Sequence, residues 1–229
     1  MAPEGQETQR LQRLRAIGAL REAFAAALLA GEEASAERAV RDAIDADISE
    51  CTIYDAIIAP ALRRVGEGWA SGELSVADEH LATHITTRIV ALQRELSRVS
   101  RRRLTTRILL CGIENEYHVV GLEMAASVLM HSGYDVRMLG ADVPIDTLAQ
   151  AVERHRPAII GFSATMASTA KVLPAAIYEA RSADPRVGVI IGGAAASLRM
   201  EVTAGTAVCT HVSDAVDIAD GLAQRASYN

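Results

Sequence analysis

The residues best placed to do chemistry are Glu116, His118 and Gly121, in the run Glu116-Tyr117-His118-Val119-Val120-Gly121. The imidazole of His118 can offer one ring nitrogen to a metal or another electron-poor centre. A carboxylate two residues earlier can hold the other ring nitrogen, orient the ring and raise the basicity of the ligating atom. Gly121 lets the chain turn tightly and lets a bulky ligand approach the backbone. On its own, E-x-H-x-x-G is equally the pattern of a surface loop with an incidental histidine. Its position argues for function. It follows an apolar run, Arg107 to Ile113, that reads as a buried strand, and precedes Leu122 to Met130, which reads as a helix. Open α/β sheets bind ligands on such loops, at the carboxyl ends of strands.

A second group surrounds the single tryptophan. Trp69 sits in the glycine-rich run Val65 to Ser75, and nine residues separate it from Glu79-His80. One use of the Trp is to plug the end of a helical bundle; the other is to present a flat face to a ligand. His80 and His84 have the i, i+4 spacing of a metal-ligand pair. No third ligand lies near them in sequence, so Glu79 and His80 read instead as polar contacts to a bound molecule. A third group clusters small and hydroxyl residues after two later strands: Ser163, Thr165, Ser168 and Thr169, then Gly192-Gly193. These could line a slot for a long ligand tail. A G-x-G-x-x-G after the first strand and a phosphate-binding P-loop are both missing, so a dinucleotide or nucleotide triphosphate is not supported.

Two kinds of segment must position these groups. Residues 8 to 99 read as helical. Leu11, Leu14, Ile17, Leu20, Phe24 and Leu28 recur at helical spacing. A second helix is expected from Ser35, and a third from Ser49 through Ile53, Ile57, Leu62 and Val65, ended by Gly66 and Gly68. A fourth starts at Ser75, with Asp78 in capping-box position, and carries the stripe Leu81, Ile85, Ile89, Leu92 and Leu96. Short connections imply a four-helix bundle. Arg101-Arg102-Arg103 reads as a solvated linker. From Thr105 strands and helices alternate. Strands are expected at 107–113, 134–139 (turned by Gly140), 158–163, 187–191 and near 207–211. Helices are expected from Pro144, over 168–183, briefly after the fourth strand, and from Ser213. Right-handed parallel crossovers then give a doubly wound five-stranded sheet.

Composition narrows the function classes. The chain has 229 residues, half of them hydrophobic, and a formal net charge of −6. That balance disfavours nucleic acid and anionic membrane as partners. No apolar run is long enough to span a bilayer, and the polar start lacks a signal-peptide core. Cys51, Cys111 and Cys209 lie far apart and read as reduced core residues of a cytoplasmic protein.

The set Glu116-x-His118-x-x-Gly121, Leu139-Gly140-Ala141-Asp142-Val143-Pro144, Gly161-Phe162-Ser163 and Gly192-Gly193 resembles the cobalamin-binding domain family over residues 105 to 225. The resemblance implies that His118 replaces the cofactor's own base as lower ligand to cobalt, with Glu116 as its partner where the family usually has Asp. It implies further that Gly121, Val143, Ser163, Thr165, Thr169, Gly192 and Gly193 contact the cofactor. The helical half resembles the cap over the cofactor's upper face. Trp69 and Glu79-His80 are similar to the CarH-type light-sensing regulators, in which the Trp shields an adenosyl group. Two features depart from that type. Only a short tail precedes the bundle, where such regulators carry a DNA-binding domain, and Ala70 stands where they have His after the Trp. The arrangement resembles stand-alone photocobilin-like sensors, which hold a bilin beside cobalamin.

The expected protein is therefore α/β: a four-helix bundle cap (residues 1–100) followed by a Rossmann-like doubly wound five-stranded parallel sheet (101–229). Its expected cofactor is cobalamin, in the adenosyl form, with non-covalent biliverdin as a second chromophore to be tested. The role is light sensing or signalling rather than enzymatic, with a homo-oligomer and a downstream signalling protein as partners. A corrinoid methyl-carrier protein of a methyltransferase system is the alternative, and a storage or delivery protein the plainest one.

Overall fold

The computed structural model describes residues 3–96, 104–194 and 203–227. The chain divides into two compact units, Met1–Ile89 and Val90–Asn229.

The first unit is helical. It contains α1 (Pro3–Leu29), α2 (Glu33–Asp45), α3 (Glu50–Thr52) running through a π-helical segment (Ile53–Ile58) into α4 (Ala59–Ser71), and α5 (Val76–Leu96), which continues into the second unit. The expected caps form. The Ser49 hydroxyl accepts from Thr52 N–H at 3.3 Å. Ser75 and Asp78 bond reciprocally, Ser75 N–H to Asp78 at 2.9 Å and Asp78 N–H to Ser75 Oγ at 3.2 Å. Gly66 and Gly68 do not end a helix; both lie inside α4. Glycine in a helix costs about 1 kcal/mol relative to alanine, but at Gly68 a Cβ would stand 2.9 Å from Leu74, so the bare backbone seats that leucine. The helix ends instead at Gly72, in the left-handed region at φ 82°.

The apolar stripes shift from expectation. On α1 Phe24 and Leu28 are buried, whereas Leu11 and Leu14 are about half exposed. With 27 residues α1 is about twice the length of α2, with 13. Arg13 bonds the Asp47 carbonyl just past the end of α2, so the turns before it outrun that neighbour. On α5 the buried face is Ala82, Ile85, Thr86, Ile89 and Val90, while Leu81 and Leu92 are exposed. α2 begins at Glu33 rather than after Ser35, whose hydroxyl bonds back to Glu32.

The second unit is a five-stranded sheet in the order β2-β1-β3-β4-β5, parallel throughout. The strands are β1 (Arg107–Ile113), β2 (Asp135–Val143), β3 (Ile159–Ser163), β4 (Gly188–Gly192) and β5 (Thr206–Val208). Helices α6 (Val120–His131), α7 (Leu148–His155), α8 (Ala167–Ala170), α9 (Leu173–Ala183) and α10 (Ala215–Ser227) connect or follow them. Strand residues alternate between two apolar clusters. Leu109, Cys111, Ile160 and Phe162 belong to one, with Leu148 and Leu173 from α7 and α9. Ile108, Leu110 and Ile159 belong to the other, with Leu129 and Leu222 from α6 and α10. Both faces of β1 and β3 are thus covered, as their near-continuous apolar sequences require.

β2 does not stop at Gly140. It continues to Val143 through two register shifts against β1, with Gly140 at φ 91° and Asp142 at φ 51° taking up the irregularity. Pro144 is extended and precedes a short 3-10 turn at Ile145–Thr147 rather than opening a helix. The expected helix over 168–183 is split into α8 and α9. Arg101-Arg102-Arg103 and the helix expected after β4 lie outside the described residues. The order reverses at β1 and β3: from β1 the chain crosses to β2 on one side, and from β3 to β4 on the other. That opens a crevice beyond their carboxyl ends, where the Glu116 loop lies.

Candidate functional site

β1 ends at Ile113, and the chain turns through Asn115, a non-glycine residue at φ 65°, before reaching Glu116. The turn is tight: a Cβ on Gly112 would lie 2.8 Å from the Glu116 carbonyl oxygen. Glu116 is fully buried, and every oxygen of its carboxylate is used. Oε1 accepts from the His118 backbone N–H at 2.9 Å and faces His118 Nδ1 at 2.6 Å. Oε2 accepts from the Thr165 backbone N–H and, at 3.0 Å, from the Thr169 hydroxyl. One carboxylate therefore ties the loop after β1 to the loop after β3.

Burial pushes the Glu116 carboxyl upward, but the bonds from His118, Thr165 and Thr169 outweigh it and bring it down to about 2. It is an anion at neutral pH. Facing it, His118 Nδ1 is the donor, which assigns the metal-binding lone pair to Nε2. The His118 side chain is 45% exposed while Glu116 is sealed. A half-exposed imidazole backed by a buried carboxylate is the arrangement that metal-bound histidines use, so these residues fit the cobalt-ligand role that the motif implies.

The other site residues fall into two groups. Ser163 is buried at the end of β3, in register with Gly112 on one side and Gly192 on the other. Gly193, at φ 95°, has its own structural reason to be glycine: a Cβ there would lie 2.3 Å from the Ala164 carbonyl oxygen. Gly121 differs. No heavy atom among the described residues lies within 4 Å of where its Cβ would be, so packing within the protein does not demand a glycine. A ligand lying against that turn would. Thr169 is buried and its hydroxyl faces Glu116 and the Met166 carbonyl, so its role here is to hold the carboxylate. Val143 is buried at the end of β2, in register with Ile113.

In the helical unit, Trp69 occupies the last turn of α4 and not a loop. It is 42% exposed, so the bundle does not use it as a plug. Glu79 and His80 lie on the first turn of α5. Glu79 Oε2 faces His80 Nδ1 at 2.7 Å, and Oε1 accepts from the Thr83 hydroxyl at 2.8 Å. Among the described residues no group of three His, Cys, Asp or Glu side chains could hold a metal ion, so the His80 and His84 spacing does not build a metal site of its own. All three cysteines are free; only Cys111 is buried, its thiol pushed up to about 12 by that burial, while Cys51 and Cys209 are half-buried.

Two residues around the loop carried no assigned role in the sequence. Asp142 accepts from Asn115 N–H at 2.7 Å and from the Tyr117 hydroxyl at 3.0 Å. Glu114 accepts from Ile145 N–H at 3.1 Å. The run Leu139 to Pro144 singled out Asp142 by position, but β1 and β2 had to be paired before its partners could be known.

Similarity to known proteins follows this geometry. Family models described as B12 binding domain match residues 106–219 and residues 20–93. The chain is 35% identical over 192 residues to the HTH-type transcriptional repressor CarH of Myxococcus xanthus, covering 82% of this chain and 63% of that protein. It is 27% identical over 137 residues to the trimethylamine corrinoid protein of Methanosarcina barkeri, covering 58% of this chain and 63% of that one. The chain thus spans a little under two thirds of these relatives. The fold is similar to that of the Methanosarcina barkeri monomethylamine corrinoid protein, with a TM-score of 0.74 at 15% identity, over 88% of this chain and 97% of that one. Among the described residues no helix is long and apolar enough to cross a membrane. With a buried carboxylate holding a half-exposed histidine at the sheet's switch point, and with both parts of the chain matched, the protein belongs to the B12-binding-domain family and binds cobalamin.

Proposed function

We propose that the protein is a cobalamin-dependent light sensor, with adenosylcobalamin as the photolabile form. The observation that carries this reading is Trp69: a large aromatic at a helix end that its own bundle leaves 42% exposed. Nearby in sequence, on the first turn of α5, Glu79 is held by Thr83 and paired with His80. The similarity to CarH extends over 82% of the chain, against 58% for the trimethylamine corrinoid protein, and so takes in the segment holding these residues.

In this reading His118 would supply a nitrogen ligand to cobalt, and Glu116 would keep its imidazole oriented with Nδ1–H spent on the carboxylate. Ser163, Gly192 and the turn at Gly121 accommodate the cofactor's body and tail. Trp69 covers the alkyl group, with Glu79 and His80 as polar contacts. Adenosylcobalamin supplies a cobalt–carbon bond that light can break. Loss of the alkyl group would remove the apolar neighbour of Trp69, which biases the packing of the helical unit. A change in self-association, or in affinity for a downstream signalling protein, would be the output. A non-covalent bilin such as biliverdin belongs to this reading as a second chromophore to be tested by its absorbance.

The corrinoid relative favours a second reading, a methyl carrier serving partner methyltransferases. Loading the protein with adenosylcobalamin separates the two. The expected result is a spectrum that changes on illumination together with a changed mass by size-exclusion chromatography with light scattering. Photoconversion with unchanged mass, and unchanged hydrogen exchange over residues 60–96, would sink the sensor and favour the carrier.

A further inference from the structure

The carboxyl end of β2 reaches across to the histidine loop at three points, all on one residue. Asp142 Oδ1 accepts from Asn115 N–H at 2.7 Å. Oδ2 accepts from the Tyr117 hydroxyl at 3.0 Å. The Asp142 backbone N–H donates to the Glu116 carbonyl oxygen at 2.9 Å. Asn115, Glu116 and Tyr117 are the three residues immediately before His118. Each is tethered to Asp142 through a different group.

Residue type fits this task. Asp142 adopts φ 51° and Asn115 φ 65°, in the left-handed region where Asp and Asn are the least strained of the non-glycine residues. A short side chain with two polar atoms can meet both a backbone N–H and a phenol from that backbone position. The buried Glu116 carboxylate orients the His118 ring and holds the His118 backbone N–H. Asp142 holds the three residues that lead into it.

We propose that Asp142 is a positioning residue for the cobalt ligand: through Asn115, Glu116 and Tyr117 it sets where the His118 backbone stands above the sheet. The inference rests on the reading that His118 ligates cobalt. Without the clasp the loop keeps Glu116 beneath it, but the imidazole spends less of its time at ligating distance.

The test uses the full chain labelled with 15N-histidine and loaded with cobalamin reduced to its cobalt(II) form. Electron paramagnetic resonance of frozen samples reads the axial nitrogen. A labelled protein imidazole splits each line into two, whereas unlabelled nitrogen from the cofactor's own base splits it into three. Asp142→Gly keeps the left-handed backbone and its N–H bond to the Glu116 carbonyl, and removes the two side-chain tethers. It should lower the ratio of protein-ligated to other cobalt by about tenfold, the lower end of what an outer-shell partner of a metal ligand controls. Asp142→Asn keeps an acceptor for Asn115 and a polar partner for Tyr117, and should stay within about twofold of the parent. Tyr117→Phe removes one tether of three and should fall between them.

A merely structural role would lower thermal stability in Asp142→Gly without moving the ratio, and that result would overturn the proposal. Should Asp142→Gly fail to fold, Tyr117→Phe decides, and a parental ratio there would overturn it as well. His118→Ala is the control. Loss of the labelled doublet in that variant, together with a parental ratio in Asp142→Gly, rejects the clasp alone. A doublet that survives His118→Ala rejects both the clasp and the underlying ligand assignment.

Discussion

The Glu116 loop and the Trp69 helix end carry the two most informative groups of side chains in this chain, and they are built in opposite ways. Glu116 is sealed, and donors from β1's loop and β3's loop saturate its carboxylate. Trp69 is 42% exposed and His80 lies at the surface with Glu79 beside it. The first region is finished by the fold before any ligand arrives. The second presents surface that the protein itself leaves uncovered. Pre-organised ligands lose little freedom when they bind, which suits a permanent lower ligand. An uncovered aromatic gains its packing only from what binds, which suits a group whose loss is to be sensed.

The largest expected effect lies on the sealed side. In the ligand-free protein Glu116 titrates at about 2, against an ordinary 4.5. The folded chain therefore takes up this proton at lower pH than the unfolded chain does. Its stabilisation is complete above about pH 4.5 and is lost as pH falls towards 2. A shift of that size corresponds to about 3 kcal/mol. Urea unfolding of the parent from pH 7 to pH 3 should show about 2 kcal/mol of that loss, and Glu116→Gln should flatten it. Parallel pH profiles for the two proteins would mean that the hydrogen-bonded carboxylate does not carry the acid sensitivity.

A middle effect is expected at Trp69. Truncation of a side chain already partly in water should lower stability by no more than about 2 kcal/mol. Preference for adenosylcobalamin over methylcobalamin should nonetheless fall roughly tenfold, measured by competitive binding in the dark. Loss of the far-ultraviolet circular dichroism in Trp69→Ala would instead make Trp69 a structural residue, and the contrast between the two regions would collapse.

The smallest change in stability is expected at Gly121, where a Cβ meets no protein atom among the described residues. Gly121→Ala lies within the first turn of α6 and should leave stability unchanged or raise it by up to about 1 kcal/mol. Cobalamin affinity should still drop, read by a spectroscopic titration. An affinity equal to that of the parent would show that the cofactor does not approach that turn.

Much of this was legible in the one-dimensional pattern. A near-continuous apolar run marked β1 as a buried strand, because a strand covered on both faces needs no polar alternation. Ser49 and Ser75 announced helix starts, because a cap is a contact between residues three apart. Glu116 and His118 could be paired from spacing alone for the same reason. Errors arose where a local rule met a tertiary partner. Gly68 looked like a helix end but seats Leu74. Leu11 and Leu14 looked like core, yet both are about half exposed. Gly140 looked like the end of a strand that in fact continues to Val143, because bulges against β1 absorb its left-handed backbone.

What the sequence by itself determined is the set of elements, their order, and the pairing of a carboxylate with a histidine on one short loop. What only the tertiary structure decided is how that pair is held. Thr165 and Thr169 lie 49 and 53 residues from Glu116, and Asp142 lies 27 from Asn115. No periodicity or spacing rule connects positions so far apart. They meet because β1 lies between β2 and β3 in a parallel sheet, which brings the carboxyl ends of all three strands, and the loops that follow them, to one edge.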